Sequence, residues 1–164
     1  MGSNVGDRGA YLAAALDALE QLSPGIRASS IYESEPVGYA DQPLFWNMAA
    51  EIQWSGEPEA LLETLQRIER RVGRRRRFRN GPREIDIDIL DFAGLVRVSP
   101  DPVLPHPELS SRRFALAPLA EIAPRWRDPV NGLTAREMMT ALPAKPSVRR
   151  LRSRSGRGGE GASG

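Results

Sequence analysis

Residues 73–90 read GRRRRFRNGPREIDIDIL, from Gly73 to Leu90. The second half of this stretch decides the fold. Ile85, Ile87 and Ile89 alternate with Asp86 and Asp88, and a period of two marks a strand with one apolar face. Residues i and i+2 of a strand share a face, roughly 7 Å apart at about 3.3 Å per residue. Two carboxylates so aligned repel each other unless a cation or an arginine lies between them. Magnesium commonly binds through one or two carboxylates plus substrate phosphates. A solvated strand face of alternating acids is the plainer alternative. The first half supplies the cations: Arg74, Arg75, Arg76, Arg77, Arg79 and Arg83. This run lies between a helix stop at Gly73 and the start of the strand, so it is a loop beside a rigid scaffold. The turn Asn80-Gly81-Pro82 aims Arg83 at the acidic strand. The planar donor fork of arginine suits phosphate oxygens. A nonspecific RNA patch is the competing reading of the run.

Working outward, Pro58 to Val72 predicts a helix with Leu61, Leu62, Leu65, Ile68 and Val72 on its apolar stripe. Glu57 and Glu59 suit its positive end, and Gly73 its left-handed stop. Phe45 to Trp54 predicts a strand, with Trp46, Met48, Ala50, Ile52 and Trp54 on one face. Phe45, Asn47, Ala49 and Glu51 take the other. Asp7 to Leu22 predicts a helix that stops at Pro24-Gly25. Ile26 to Tyr32 predicts a strand, and Glu33 to Pro43 a loop. The acidic strand is expected to run from Glu84 to Phe92 and to pair across Ala93-Gly94 with Leu95 to Val98. Arg112 to Ile122 and Thr134 to Leu142 predict two further helices, the latter with Thr134 and Glu137 at capping-box spacing. The pattern is that of an α+β sandwich with helices packed on a sheet.

The chain has 164 residues, enough for one domain with a core. One domain is expected over residues 1–145, followed by a disordered Arg/Ser/Gly tail over 146–164. No run of 18 apolar residues or signal peptide is visible, so a membrane span is not expected. There are no cysteines, which removes disulfides and thiolate metal sites and suits a reducing cytoplasm. The formal charge is +2, yet from Lys145 onward there are six basic residues and one acid. The remaining 144 residues hold 17 basic and 20 acidic side chains. The body is therefore mildly acidic, and the basic excess lies in the tail. No P-loop and no G-x-G-x-x-G is present.

His106, the only histidine, sits in Leu104-Pro105-His106-Pro107, six residues before Arg112. It reads as a surface residue or as a second phosphate contact. Pro36-Val37-Gly38, Phe45 and Asn47 could line a pocket for a flat heterocycle, an aromatic to stack and an amide to read its edge. Core packing of Phe45 is the alternative.

These segments together resemble the 6-hydroxymethyl-7,8-dihydropterin pyrophosphokinase family of folate synthesis. The resemblance rests on Gly2-Ser3-Asn4, Ser34-Glu35-Pro36-Val37-Gly38, Asp41-Gln42-Pro43, Phe45-Trp46-Asn47, Gln66-Arg67-Ile68-Glu69 and Gly73-Arg74. Gly81-Pro82-Arg83-Glu84-Ile85-Asp86-Ile87-Asp88-Ile89, Pro105-His106 and Arg112-Arg113-Phe114 complete it. Order and spacing hold over about residues 1–140. The resemblance implies diphosphate transfer from ATP to the pterin's hydroxymethyl oxygen, with AMP released. It implies that Asp86 and Asp88 hold two magnesium ions. Arg74, Arg76, Arg79, Arg83, His106 and Arg112 would surround the ATP phosphates, with Arg74 and Arg83 counted with the aspartates as catalytic. Glu69 and Ile89 would seat the nucleoside. Ser34, Val37, Phe45, Asn47 and Phe114 would hold the pterin. The loops around Tyr39 and around residues 74–79 would close over both substrates. Implied partners are ATP and a reduced pterin, with no membrane and no specific nucleic acid, and the chain is expected to act as a cytoplasmic monomer. Relatives carry tryptophan where Asn80 stands and tyrosine where Phe45 stands. The implied fold is a ferredoxin-like sheet with helices on both faces, in α-β-α layers. Its central N-terminal strand is expected to be missing, because Met1 directly precedes Gly2, and the chain as written is expected to be poorly stable for that reason. A small basic RNA-binding α+β domain without catalysis is the other function the sequence allows.

Overall fold

Helix α1 (Arg8–Leu22) opens where the Asp7 carboxylate accepts a bond from Ala10 N at 2.9 Å. This satisfies one of the first-turn amides that have no partner within the helix. Helix α2 (Pro58–Val72) has the predicted bounds, with proline in its first turn and Gly73 in a left-handed conformation (φ 117°) at its end. That backbone geometry favours glycine. The computed structural model describes residues 1–75, 78 and 80–151. Arg76 and Arg79, both expected at the site, lie outside the described residues.

The main sheet has four strands in the order β1-β4-β3-β6, formed by β1 (Gly2–Ser3), β4 (Phe45–Asn47), β3 (Tyr32–Ser34) and β6 (Val148–Arg150). All the pairings are antiparallel. A second, two-stranded sheet joins β2 (Arg27–Ala28) to β5 (Ala50–Glu51). The strand expected over Ile26–Tyr32 is thus split between two sheets, and so is that over Phe45–Trp54. Ser29 bridges both breaks: its N donates to Ala49 O and its hydroxyl accepts from Ala49 N, each at 2.9 Å. The face assignments over 45–54 hold. Met48 is in the core with Trp46, Ala50, Ile52 and Trp54 packed around it, whereas Phe45, Asn47 and Ala49 line a cavity.

Four further expectations need correction. The N-terminal strand is not missing: Gly2–Ser3 forms β1, paired with β4 on one side and bridged to Asp86 on the other. Glu84–Phe92 does not form a strand of the predicted length; its sheet contact is a single bridge between Asp86 and Gly2. The reason is local: Ile87 N donates to the Glu69 carboxylate and Leu90 O accepts from His106 N, so both groups are diverted from a ladder. Leu95–Val98 does not pair with that segment. Arg97 pairs with Leu104 instead, because residues 104–106 already occupy the neighbouring edge. The segment from Pro146 was expected to be disordered, yet Val148–Arg150 forms β6 against β3. It is anchored by Lys145 Nζ on Glu35 at 3.2 Å and Arg149 on Glu33 at 2.7 Å.

Two apolar clusters fill the interior. Leu12, Ala15 and Leu19 of α1 meet Leu61, Leu65 and Ile68 of α2 and the buried Met48, Ile85 and Ile87. The second cluster joins Leu116 and Leu119 of α3 (Arg113–Ile122) to Ala135 and Met138 of α4 (Ala135–Ala141), with Leu109 beside them. The alternation of isoleucine and aspartate therefore works as predicted: the isoleucines enter the core and the aspartates face away from it. Among the described residues, no helix is long and apolar enough to cross a membrane.

Candidate active site

Beside the acidic segment lies a cavity of about 490 Å³, within the usual range for small-molecule sites. Ser34, Val37, Phe45, Asn47, Arg83, Asp86, Asp88, His106, Arg112 and Phe114 all line it. Ten of the fifteen expected site residues therefore converge on one space, although they come from five separate stretches of chain. A second cavity of about 380 Å³ adjoins it, and Ala49, Asp88 and Leu90 line both. Ile89 belongs to this second cavity and packs against the α1–α2 core.

The floor of the first cavity is polar and fixed. Asn47 is buried and donates from Nδ2 to the Ser34 hydroxyl at 2.8 Å. Its other side is closed by Gly2, where a Cβ would stand 2.7 Å from Asn47 Oδ1. Only glycine admits so close an approach. Phe45 lies 5.7 Å from the Arg83 guanidinium, and Phe114 lies 5.6 Å from that of Arg112. Each ring thus carries a cation over its face.

The acidic end is organised by arginines. Asp86 Oδ1 accepts from Arg74 Nη1 at 2.6 Å, and Oδ2 accepts from Arg83 Nη1 at 2.5 Å. Burial works against ionisation of Asp86, but Arg83 and Arg74 outweigh it and hold the carboxyl below its ordinary range. Asp88, two residues on, is 44% exposed, with Arg112 Nη1 3.8 Å away. Arg112 is also bonded to Glu108. His106 Nδ1 accepts from Glu108 N at 3.1 Å. Burial lowers the imidazole pKa, against the opposing pull of Asp88.

Glu69 takes a position that sequence reasoning did not foresee. It is buried, and its Oε1 accepts from Ile87 N at 2.7 Å and from Arg74 Nη1 at 2.6 Å. Burial raises its pKa, against the pull of those two donors. It ties the end of α2 to the acidic segment. Asn4, unlike Glu69, was given no role by the sequence reading. It is 1% exposed, accepts from Arg83 N at 2.9 Å, and donates to Gln42 Oε1 and Pro43 O at 2.9 and 3.0 Å. Gln42 in turn donates to Tyr39 O and Asn80 O. Tyr39 meets Phe78 edge to face at 5.4 Å. The Tyr39 loop and the arginine loop are thus joined to each other and to the backbone of Arg83. The signal was present in Gly-Ser-Asn and Asp-Gln-Pro, but pairing an asparagine with a glutamine 38 positions later needs the fold.

The arrangement presents a polar slot with aromatic walls, a pair of unequal carboxylates and a cationic rim. A model of the 7,8-dihydro-6-hydroxymethylpterin-pyrophosphokinase family matches residues 1–124. The chain is 48% identical over 124 residues to the 2-amino-4-hydroxy-6-hydroxymethyldihydropteridine pyrophosphokinase of Bacillus subtilis, covering 74% of each chain. It is 38% identical over 146 residues to the enzyme of that name from Aquifex aeolicus, covering 89% of this chain and 91% of that one. For the Methylorubrum extorquens enzyme of the same name the values are 43% over 145 residues, with 87% and 90% covered. With the motifs, the cavity and the extent of these matches in agreement, the chain belongs to the 7,8-dihydro-6-hydroxymethylpterin-pyrophosphokinase family.

Proposed function

We infer that this chain transfers a diphosphate group from ATP to the hydroxymethyl oxygen of 6-hydroxymethyl-7,8-dihydropterin in folate synthesis, giving the pterin diphosphate and AMP. The observation that carries the residue assignment is the convergence of an amide-and-hydroxyl floor, two aromatic rings, two carboxylates and two arginines on one cavity. The pterin hydroxyl oxygen forms a bond to the β-phosphorus. The bond from that phosphorus to the oxygen it shares with the α-phosphate breaks, and AMP leaves with the electron pair. The hydroxyl proton departs to solvent or to phosphate oxygen; no side chain is assigned as its base. Catalysis of this kind is mainly positioning and charge neutralisation.

Ser34 and Asn47 read the edge of the pterin, with Phe45 and Phe114 against its faces and Val37 at its rim. Arg74, Arg76, Arg79, Arg83, His106 and Arg112 receive the phosphates, and Arg74 and Arg83 act with Asp86 and Asp88 in catalysis. Glu69 and Ile89 border the nucleoside. Asp86 and Asp88 are the groups that would hold two magnesium ions. They suit that metal because both are hard oxygen donors on one cavity wall. With only these two carboxylates from the chain, polyphosphate oxygens would complete the donor set. Bound magnesium neutralises charge that develops on the phosphate oxygens. The fold that goes with this reading is ferredoxin-like, with α1 and α2 on one face of the sheet and α3 and α4 on the other. Its support is the alternation of Met48 into one cluster with Asn47 and Ala49 toward the cavity. One chain carries every side chain named, so a cytoplasmic monomer suffices.

The test is to incubate the purified protein with ATP, magnesium and the reduced pterin and to measure AMP. AMP is expected only when the pterin is present. Asp86→Ala is expected to lower turnover by orders of magnitude, the scale seen when a main charge-stabilising group is lost. Pterin-independent AMP, or an unaffected variant, would refute the reading.

A further inference from the structure

We propose that Arg74 and Arg83 act as a latch on Asp86, so that this carboxylate becomes open to a divalent cation only after nucleotide phosphates draw the two guanidinium groups away. The proposal rests on the assigned use of ATP and extends it to the order of events. Both oxygens of Asp86 are engaged: Oδ1 by Arg74 at 2.6 Å and Oδ2 by Arg83 at 2.5 Å. Its side chain is only 19% exposed, so solvent screens the pair weakly. A cation approaching either oxygen meets a fixed positive charge already in contact with it, and like charges at such range repel strongly in a partly dry site. Asp88 contrasts with this: it is 44% exposed, and its arginine partner stands 3.8 Å away. Two aspartates of one motif are therefore unequal in the free protein, one held and one open.

The latch has a built anchor. Arg74 Nη1 also donates to Glu69 Oε1 at 2.6 Å, and the same oxygen accepts Ile87 N at 2.7 Å. Glu69 lies in the last turn of α2, and Arg74 N donates to Glu69 O at 2.9 Å across the left-handed Gly73. Arg74 therefore pivots beside Glu69 and can leave Asp86 while one carboxylate contact remains. Arg83 also lies over the Phe45 ring, 5.7 Å from its centroid, a contact it keeps alongside the one to Asp86. A triphosphate offers each guanidinium a bidentate oxygen pair of higher charge than a shared carboxylate. Exchanging arginine–aspartate contacts for arginine–phosphate and aspartate–metal contacts then conserves the number of ion pairs. Free Asp86 is never exposed as an unpaired, half-buried charge. In this scheme Glu69 is a positioning residue, acting through Arg74.

Mn²⁺ serves as the probe, followed by loss of the free aquo-ion signal in electron paramagnetic resonance. Without nucleotide, the wild-type protein is expected to bind Mn²⁺ weakly. Arg74→Gln and Arg83→Gln are each expected to strengthen that binding about tenfold, the scale of removing one facing charge. Adding Asp86→Asn to either is expected to cancel the gain. A non-hydrolysable ATP analogue is expected to tighten Mn²⁺ on the wild type and to narrow the gap between it and the variants. Thermal melts of both single variants identify any that do not fold, and the other then decides. Equal Mn²⁺ affinity of a folded variant and the wild type without nucleotide would overturn the latch. So would unchanged wild-type affinity on adding the analogue. Either result leaves the reaction intact if pterin-dependent AMP still forms, whereas absence of AMP would remove the reaction itself.

Discussion

The ring of His106 accepts Glu108 N at Nδ1, so the neutral imidazole carries its proton on Nε2 and presents a donor to the cavity. Burial holds its pKa below the ordinary 6.5. The sign of the linkage follows. As pH falls through 6.5 the unfolded chain takes up a proton that the folded protein refuses, so stability drops until the folded ring is itself protonated. Replacing the ring should remove that increment. The melting temperature of His106→Gln is expected to fall less between pH 7 and pH 5 than that of the wild type. Parallel curves would show that the ring is not held neutral. The position of this residue was legible as a loop beside arginines, but not its bond to Glu108, because a contact two residues away depends on the turn taken at Pro107. Glu69 was legible through the family resemblance as a residue seating the nucleoside, but not as a buried carboxylate. Its purpose emerges once Ile87 N and Arg74 stand on either side of it.

At the scale of elements, the helices were the most readable. Their apolar residues recur at a period that the fold uses directly, and their caps are local. Thr134 accepts Glu137 N at 3.2 Å while the Glu137 carboxylate accepts Thr134 N at 2.7 Å, which closes the predicted box at the start of α4. Thr134→Ala is expected to cost about 1 kcal/mol, measured as a shift in the urea midpoint with the slope unchanged. No loss would mean that packing of Ala135 and Met138 alone fixes the helix. The strands were less readable, because their pairing depends on partners far along the chain. Phe45–Trp54 alternates correctly, yet it changes sheets at Met48-Ala49, where Ser29 intervenes. Glu84–Phe92 has the residues of a strand, but its amides and carbonyls serve a carboxylate and a histidine. The tail beyond Pro146 has a disordered composition, but Glu33 and Glu35 of the facing segment, with Ser30 and Glu121 on Arg150, hold Val148–Arg150 as an edge strand.

Over the whole molecule, two apolar clusters hold the acidic segment from different directions. Ile85 and Ile87 enter the cluster of α1 and α2, whereas Leu90 packs against that of α3 and α4. These clusters share no buried residue, so changes in them should act independently. Ile85→Val is expected to cost about 1 kcal/mol and Leu116→Ala about 2–5 kcal/mol. Their sum is expected to describe the double variant within about 0.5 kcal/mol, by chemical denaturation. A large interaction energy would mean that the clusters are one cooperative body. The family resemblance had already anticipated the convergence of Ser34, Asn47, Asp86 and His106, although no spacing rule brings them together. One further result of the sheet order concerns biosynthesis. Residue 33 and residue 149 are held together across 116 positions. While the chain is still threading from the ribosome, β3 therefore waits with one flank bare. Helices α1 and α2 can mature long before that flank is covered, and trimming of stalled nascent chains by protease would time the delay.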